Sequence, residues 1–260
     1  MLEIFHIHGS VARLINRGLS CVFSRSFLTQ DISSEPIVGK YGVYWQMVLF
    51  SLNTLLEILI SPASWPGDLA MSMTWFPERN FWYAVVYGCD PSTEVEISGR
   101  LRYSGDAICH PLLIPGIFAE LERKRQIKMV KQGSLKLVET VATLHEAHHM
   151  PSDADHSPGP DLTANKEVDP WLDIFHKKNG LLNWKDQLNK MVTHAEELNI
   201  TNFSHDINQS SDINEFRKLM RDTGDRIKER LQDIIREYDE RIRDCERNLE
   251  GMSLANQMVR

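Results

Sequence analysis

Several signatures are missing from this sequence, and each absence removes a class of function. Its four cysteines, Cys21, Cys89, Cys109 and Cys245, form no CxxC pair, which argues against a dense disulfide framework and suits free thiols in a reducing compartment. Basic residues are in deficit, 29 Lys and Arg against 36 Asp and Glu, for a formal net charge of −7. That excludes nucleic acid as the main ligand, because phosphate binding needs a surplus of Lys and Arg on one face. There is no GxSxG elbow, no phosphate-cradling glycine loop and no GxGxxG after a strand, so no catalytic residue is assigned and the chain is expected not to be an enzyme. Cys109 and His110 are adjacent, and neighbouring side chains generally point apart, so they do not read as a dyad.

An uninterrupted apolar run is missing too. The nearest, Val43 to Ile60, is broken by Gln46, Asn53 and Glu57, whereas a spanning helix needs about 20 mostly apolar residues. It reads as a buried helix rather than a membrane span. The first 30 residues carry Arg13, Arg17 and Arg25 among serines, with no acid between Glu3 and Asp31. They form an N-terminal segment that reads as an organelle-targeting peptide, a surface amphipathic helix or a poorly ordered end. The rest is expected in the cytoplasm.

What is present is helical periodicity with dense charge. From Asp212 to about Ala255 the apolar residues Ile213, Phe216, Met220, Ile227, Leu231, Ile234, Tyr238, Ile242, Cys245, Leu249 and Met252 recur at near-heptad spacing. At 1.5 Å per residue such a helix is roughly 60 Å long, more than a compact domain of this size buries. Ile227, Leu231, Ile234, Tyr238 and Ile242 are therefore taken as an interaction seam, for a homo-oligomer or a helical protein partner. The acidic residues of the same stretch interleave with arginines and lysine, which reads as a solvated face laced with i,i+4 pairs rather than a magnesium site.

Upstream, two aromatic and β-branched runs, Ala70 to Phe76 and Phe81 to Cys89, joined by PERN, predict a β-hairpin. Trp75, Phe76, Phe81, Trp82 and Tyr83 read as its core. Asp90-Pro91-Ser92 opens a short helix to about Tyr103. A strong helix follows Pro115 with Ile117, Phe118, Leu121, Ile127, Met129 and Val130 on its apolar face, loosened at Gly133, to His148. Residues 150–168 form a polar, mobile loop. Helix resumes at Asp169-Pro170, with a buried stripe of Trp171, Leu172, Phe175, Leu181, Leu182, Leu188, Met191, Val192 and Leu198.

One cluster resembles a metal site. In HEAHHMPSDADH, His145 and His149 are four apart on a helix face, and Asp153 and His156 follow. Imidazole with carboxylate would suit zinc or a similar ion, zinc or magnesium being the metals to consider for this chain; the alternative is a frayed helix end running into a solvated loop. His6 and His8 alternate near the N-terminus, but nothing completes a site. No other cofactor is implied.

Three strings, HPLLIPGIFAELERKRQ, WLDIFHKKNGLLNWKDQLNKM and MRDTGDRIKERLQDIIREYDERIRDCERNLEGMSLANQ, resemble the cytosolic region of fungal proteins related to the CorA magnesium transporters. The similarity covers about Met71 to Gln257. It implies an α/β head whose long final helix is a stalk; in the family the stalk runs into two membrane spans, and five chains surround a metal-conducting pore. The Gly-Met-Asn motif of that pore is not matched, since Gly251-Met252-Ser253 shares only its first two letters. A truncated paralogue, an incomplete gene product or a soluble regulator that kept the head and lost the channel is the expectation.

The resulting expectation is an α+β, mainly α fold, a long-helix bundle or stalk with a small antiparallel sheet in the head. Residues 1–30 are the N-terminal segment, 31–107 the head and 108–260 the stalk-like module. The expected function is non-catalytic, through helix-mediated self-association or partner docking; the alternative is the cytosolic gating and metal-sensing part of a divalent-cation transporter.

Overall fold

The computed structural model describes residues 22–28, 40–46, 69–76, 81–149, 163–204 and 210–258. The protein is mainly helical. Helix α1 spans Pro91–Tyr103, a 3-10 turn spans Gly105–Cys109, and three long helices follow: α2 (Leu113–His149), α3 (Thr163–Thr201) and α4 (Ser211–Met258). Four strands precede them, β1 (Val22–Leu28), β2 (Lys40–Gln46), β3 (Ala70–Phe76) and β4 (Phe81–Tyr87), paired antiparallel in that order. The register sets Met73 opposite Val43 and Ala84. No helix among the described residues is long and apolar enough to cross a membrane.

Alternation makes β3 two-faced, and Met71, Met73 and Trp75 are each about as buried as any residue in the protein. Val43 to Gln46 lie in β2, which corrects the helix expected from Val43 onward. Tyr41, Val43 and Trp45 alternate along β2, the period-2 pattern of a strand, and reading the run only from Val43 cut that pattern short. The remainder of that run, residues 47–60, lies outside the described residues.

Helix α1 starts as its capping residues dictate. The Asp90 carboxylate accepts from the Thr93 backbone N–H at 2.7 Å and from the Ser92 hydroxyl at 2.9 Å, with Pro91 in the first turn. These hydrogen bonds, the Thr93 N–H first, hold the Asp90 carboxyl below its ordinary pKa.

The chain folds as two compact units. The first comprises Met1–Glu122 and Asn183–Ile235, the second Arg123–Leu182 and Arg236–Arg260. In the first unit the core gathers Trp75, Phe118, Leu112, Trp184, Leu188, Met191, Leu198, Phe203, Leu231 and Ile234. The Phe203 ring lies 6.0 Å from Trp75 and 5.5 Å from His110. In the second, Val130, Leu137, Ile174, Leu181, Tyr238, Cys245 and Met252 are buried. Arg123 donates to Glu237 at 2.8 Å and Asn248 to Ser134 at 2.8 Å.

Three expectations for the helices are corrected. Helix α3 begins at Thr163, not at Asp169, so Pro170 lies inside it and only residues 150–162 of the expected loop fall outside the described residues. Its buried stripe also differs in phase. Trp171, Phe175 and Leu182 are exposed, while Ile174, Leu181, Trp184, Leu188, Met191, Ala195 and Leu198 are buried, with buried Lys177 at the intervening heptad position. A lysine in the seam hid the register. Its ammonium is held by Asp173 at 2.5 Å, the condition under which a charge is tolerated in a packed seam. Nor is α2 interrupted at Gly133. A Cβ there would lie 3.0 Å from Ile174 Cδ1 and 2.5 Å from Lys177 Nζ, so the glycine serves close packing of α2 on α3.

Candidate functional site

Four of the five seam residues, Leu231, Ile234, Tyr238 and Ile242, are buried within the single chain, and Ile227 is half-buried. A heptad pattern signals packing but does not name the packing partner. Here much of it is intramolecular: the Ile227 side chain faces Gly116 on α2, where a Cβ would sit 3.5 Å from its Cγ2. The lower half of the seam, Tyr238 and Ile242, is core of the second unit. It is not a free docking face.

The upper half is different. In the first unit Ile227, Leu231 and Ile234 of α4 form one wall of an open groove of about 510 Å³, completed by Leu113, Gly116 and Ile117 of α2 and by the end of α1 and the 3-10 turn. Its rim carries Arg100, Arg226 and Arg230, with Tyr103 and Asp106 on the α1 side. Tyr103 is 90% exposed. Arg230 is ion-paired to Glu120 and Arg100 donates to Glu96 at 2.7 Å. Arg226 instead folds back along its own helix, donating to the Asp222 carbonyl at 3.2 Å and the Thr223 hydroxyl at 3.4 Å. An apolar trough with convergent polar groups at its edge is the general form of a binding site.

The second unit has its own cavity of about 580 Å³, lined by Val130, Lys131, Ser134, Leu135, Arg241, Asp244, Arg247 and Asn248. Asp244 there accepts from Arg241 at 2.7 Å and also from Arg247, while Lys131 adds a further positive charge to the lining and the Arg241 Nε is buried without a hydrogen-bond partner.

Of the four residues singled out as metal ligands, His145 and His149 lie on the last turns of α2, and their side chains are outside what the structure describes; Asp153 and His156 lie outside the described residues altogether. Among the described side chains no group of three or more His, Cys, Asp or Glu is placed to hold a metal ion. Cys109 is half-buried at the end of the 3-10 turn, and His110 is enclosed, with its Nδ1 accepting from the Leu112 backbone N–H. Burial pushes both the Cys89 and Cys109 thiols above their ordinary pKa, with Asp90 and Asp106 respectively adding to it, the opposite of an activated nucleophile.

Sequence reasoning missed the groove, because its wall joins residues about 110 positions apart. It also missed His110, whose imidazole is buried and pushed down to about 3 by burial first and by nearby His194 second. No protein-family model matches the chain, no curated protein is significantly similar to it, and no solved structure matches it.

Proposed function

We propose that this chain is a non-catalytic, CorA-like protein that works by helix-mediated association, and that the groove of its first unit is where an amphipathic helix docks. The observation that carries this reading is the half-buried Ile227, backed by the buried Leu231 and Ile234, on the wall of an open trough edged by Arg100, Arg226 and Arg230. Helix-in-groove recognition uses apolar anchors at such spacing. Arg230 and Arg100 are neutralised by Glu120 and Glu96, whereas Arg226 is held by neutral acceptors of its own helix and suits an acidic residue of the incoming helix; a second copy of this acidic chain is the occupant to test first. The resemblance of the three strings to CorA-like cytosolic regions supports a stalk-and-head arrangement, with a small antiparallel sheet as platform of the head and a cytoplasmic setting.

The test is molar mass by light scattering across a range of concentrations, with and without millimolar Mg²⁺, for the wild type and for Ile227→Glu. A concentration-dependent rise in mass that Ile227→Glu abolishes supports docking through the groove. A strict monomer at every concentration sinks self-association. Assembly only in Mg²⁺ would replace this reading with the metal-sensing one.

A further inference from the structure

Gly224 lies inside the first half of α4 and is buried, although glycine in a helix interior costs about 1 kcal/mol relative to alanine. The reason is local. A Cβ at this position would come within 2.7 Å of Asn199 Oδ1 and 3.0 Å of His110 Nε2. Both of those atoms are buried and neither has a hydrogen-bond partner in the protein.

Their chemical roles are set by what each side chain does at its other end. His110 Nδ1 accepts from the Leu112 backbone N–H at 3.1 Å, so in the neutral imidazole the proton resides on Nε2, which is a donor. Asn199 Nδ2 donates to Asp225 Oδ1 at 3.1 Å, which turns the amide so that Oδ1, an acceptor, faces the glycine. A donor and an acceptor thus flank Gly224, no further apart than the sum of their two distances to its missing Cβ. One water, at about 2.8 Å from each, spans separations up to about 5.6 Å. Buried polar groups left unpaired are costly, and internal waters occur where such groups converge in a space large enough for one.

We infer that Gly224, His110 and Asn199 form a binding site for a single internal water, which accepts from His110 Nε2–H and donates to Asn199 Oδ1. The water couples the 3-10 turn leading into α2, the last turns of α3 and the first half of α4 within the first unit. The absence of a Cβ at Gly224 lets both side chains approach the helix there.

A crystal structure of the full chain at a resolution that shows ordered solvent tests this directly. One solvent peak within hydrogen-bonding distance of both Nε2 and Oδ1 is the expected result. A direct Nε2–Oδ1 hydrogen bond, or clear side-chain density with no peak between them, overturns it. Nitrogen NMR of the histidine-labelled chain at neutral pH supplies a second reading: protonation of His110 at Nε2 is expected, and protonation at Nδ1 would refute the donor–acceptor assignment.

Discussion

The buried carboxylate of Glu120 on α2 is ion-paired to the guanidinium of Arg230 on α4, 110 residues further along the chain. The pair stands at the edge of the first unit's groove and closes α2 against α4 there. Glu120 is largely enclosed while Arg230 is half exposed, so the interaction falls between the solvated and the fully buried case. Arg230→Ala should cost about 1–2 kcal/mol, more than an exposed pair and less than the 3–5 kcal/mol of a buried one. Urea denaturation of the two proteins measures it; no change in midpoint would mean that water replaces the guanidinium without loss.

Gly224→Ala should destabilise the protein by about 1–3 kcal/mol, although alanine is the better helix former. The added methyl meets Asn199 Oδ1 and His110 Nε2 at distances that real Cβ atoms do not tolerate or tolerate rarely. The same denaturation experiment reads the sign. Stabilisation would show that both side chains move aside freely.

Ile234→Asp should be the most damaging single change in α4, costing about 3–5 kcal/mol. Ile234 is 1% exposed, and an unpaired carboxylate there would have to be neutralised or hydrated within the core. Circular dichroism during thermal unfolding is sufficient, because a loss of that size in a marginally stable protein leaves much of the chain unfolded at ordinary temperature.

Stability should fall on mild acidification, and His110 should be responsible for part of the fall. In the unfolded chain this histidine titrates near 6.5, whereas in the fold it is pushed down to about 3. Between those values the unfolded state binds a proton that the folded state does not. The contribution is therefore complete above about pH 6.5 and is lost as pH drops toward 3. At about 1.4 kcal/mol per pH unit, about 2 kcal/mol of it is gone at pH 5, still above the ordinary carboxylate range. Denaturation of wild type and His110→Gln at about pH 7.5 and about pH 5 should show the wild type losing more stability by that amount; parallel losses would contradict the assignment.

Cys245 should be silent toward thiol reagents in the folded protein. It is fully enclosed, and burial first, with Asp244 second, pushes its thiol up to about 11. The thiolate is the reactive form. Mass spectrometry after brief alkylation at neutral pH should find Cys245 unmodified until denaturant is added, and prompt labelling would mean that the second unit opens readily.

The long helices were legible because their signals are local. Heptad spacing from Ile213 to Met252 located α4 to within a few residues of Ser211–Met258, and Asp90-Pro91 marked the start of α1, since capping requires only adjacent residues. The stripe of α3 was misread where Lys177 occupies a core position, because only its partner Asp173 and the packing around it make that acceptable. The seam of α4 was readable as something that must be covered, but not as covered by the chain's own helices.

The sequence by itself determined α1, α2 and α4 as helices and roughly where they start and stop, because these follow from periodicity and capping along the chain; it did not separate β2 from the helix expected at Val43, nor set the start and phase of α3. Tertiary structure alone decided what each apolar face meets. It set Ile227 beside Gly116, paired Glu120 with Arg230, left a groove between helices whose contacting residues are far apart in sequence, and turned His110 Nε2 and Asn199 Oδ1 toward the same glycine. Such contacts depend on distances between segments, and no local pattern of residues carries that information.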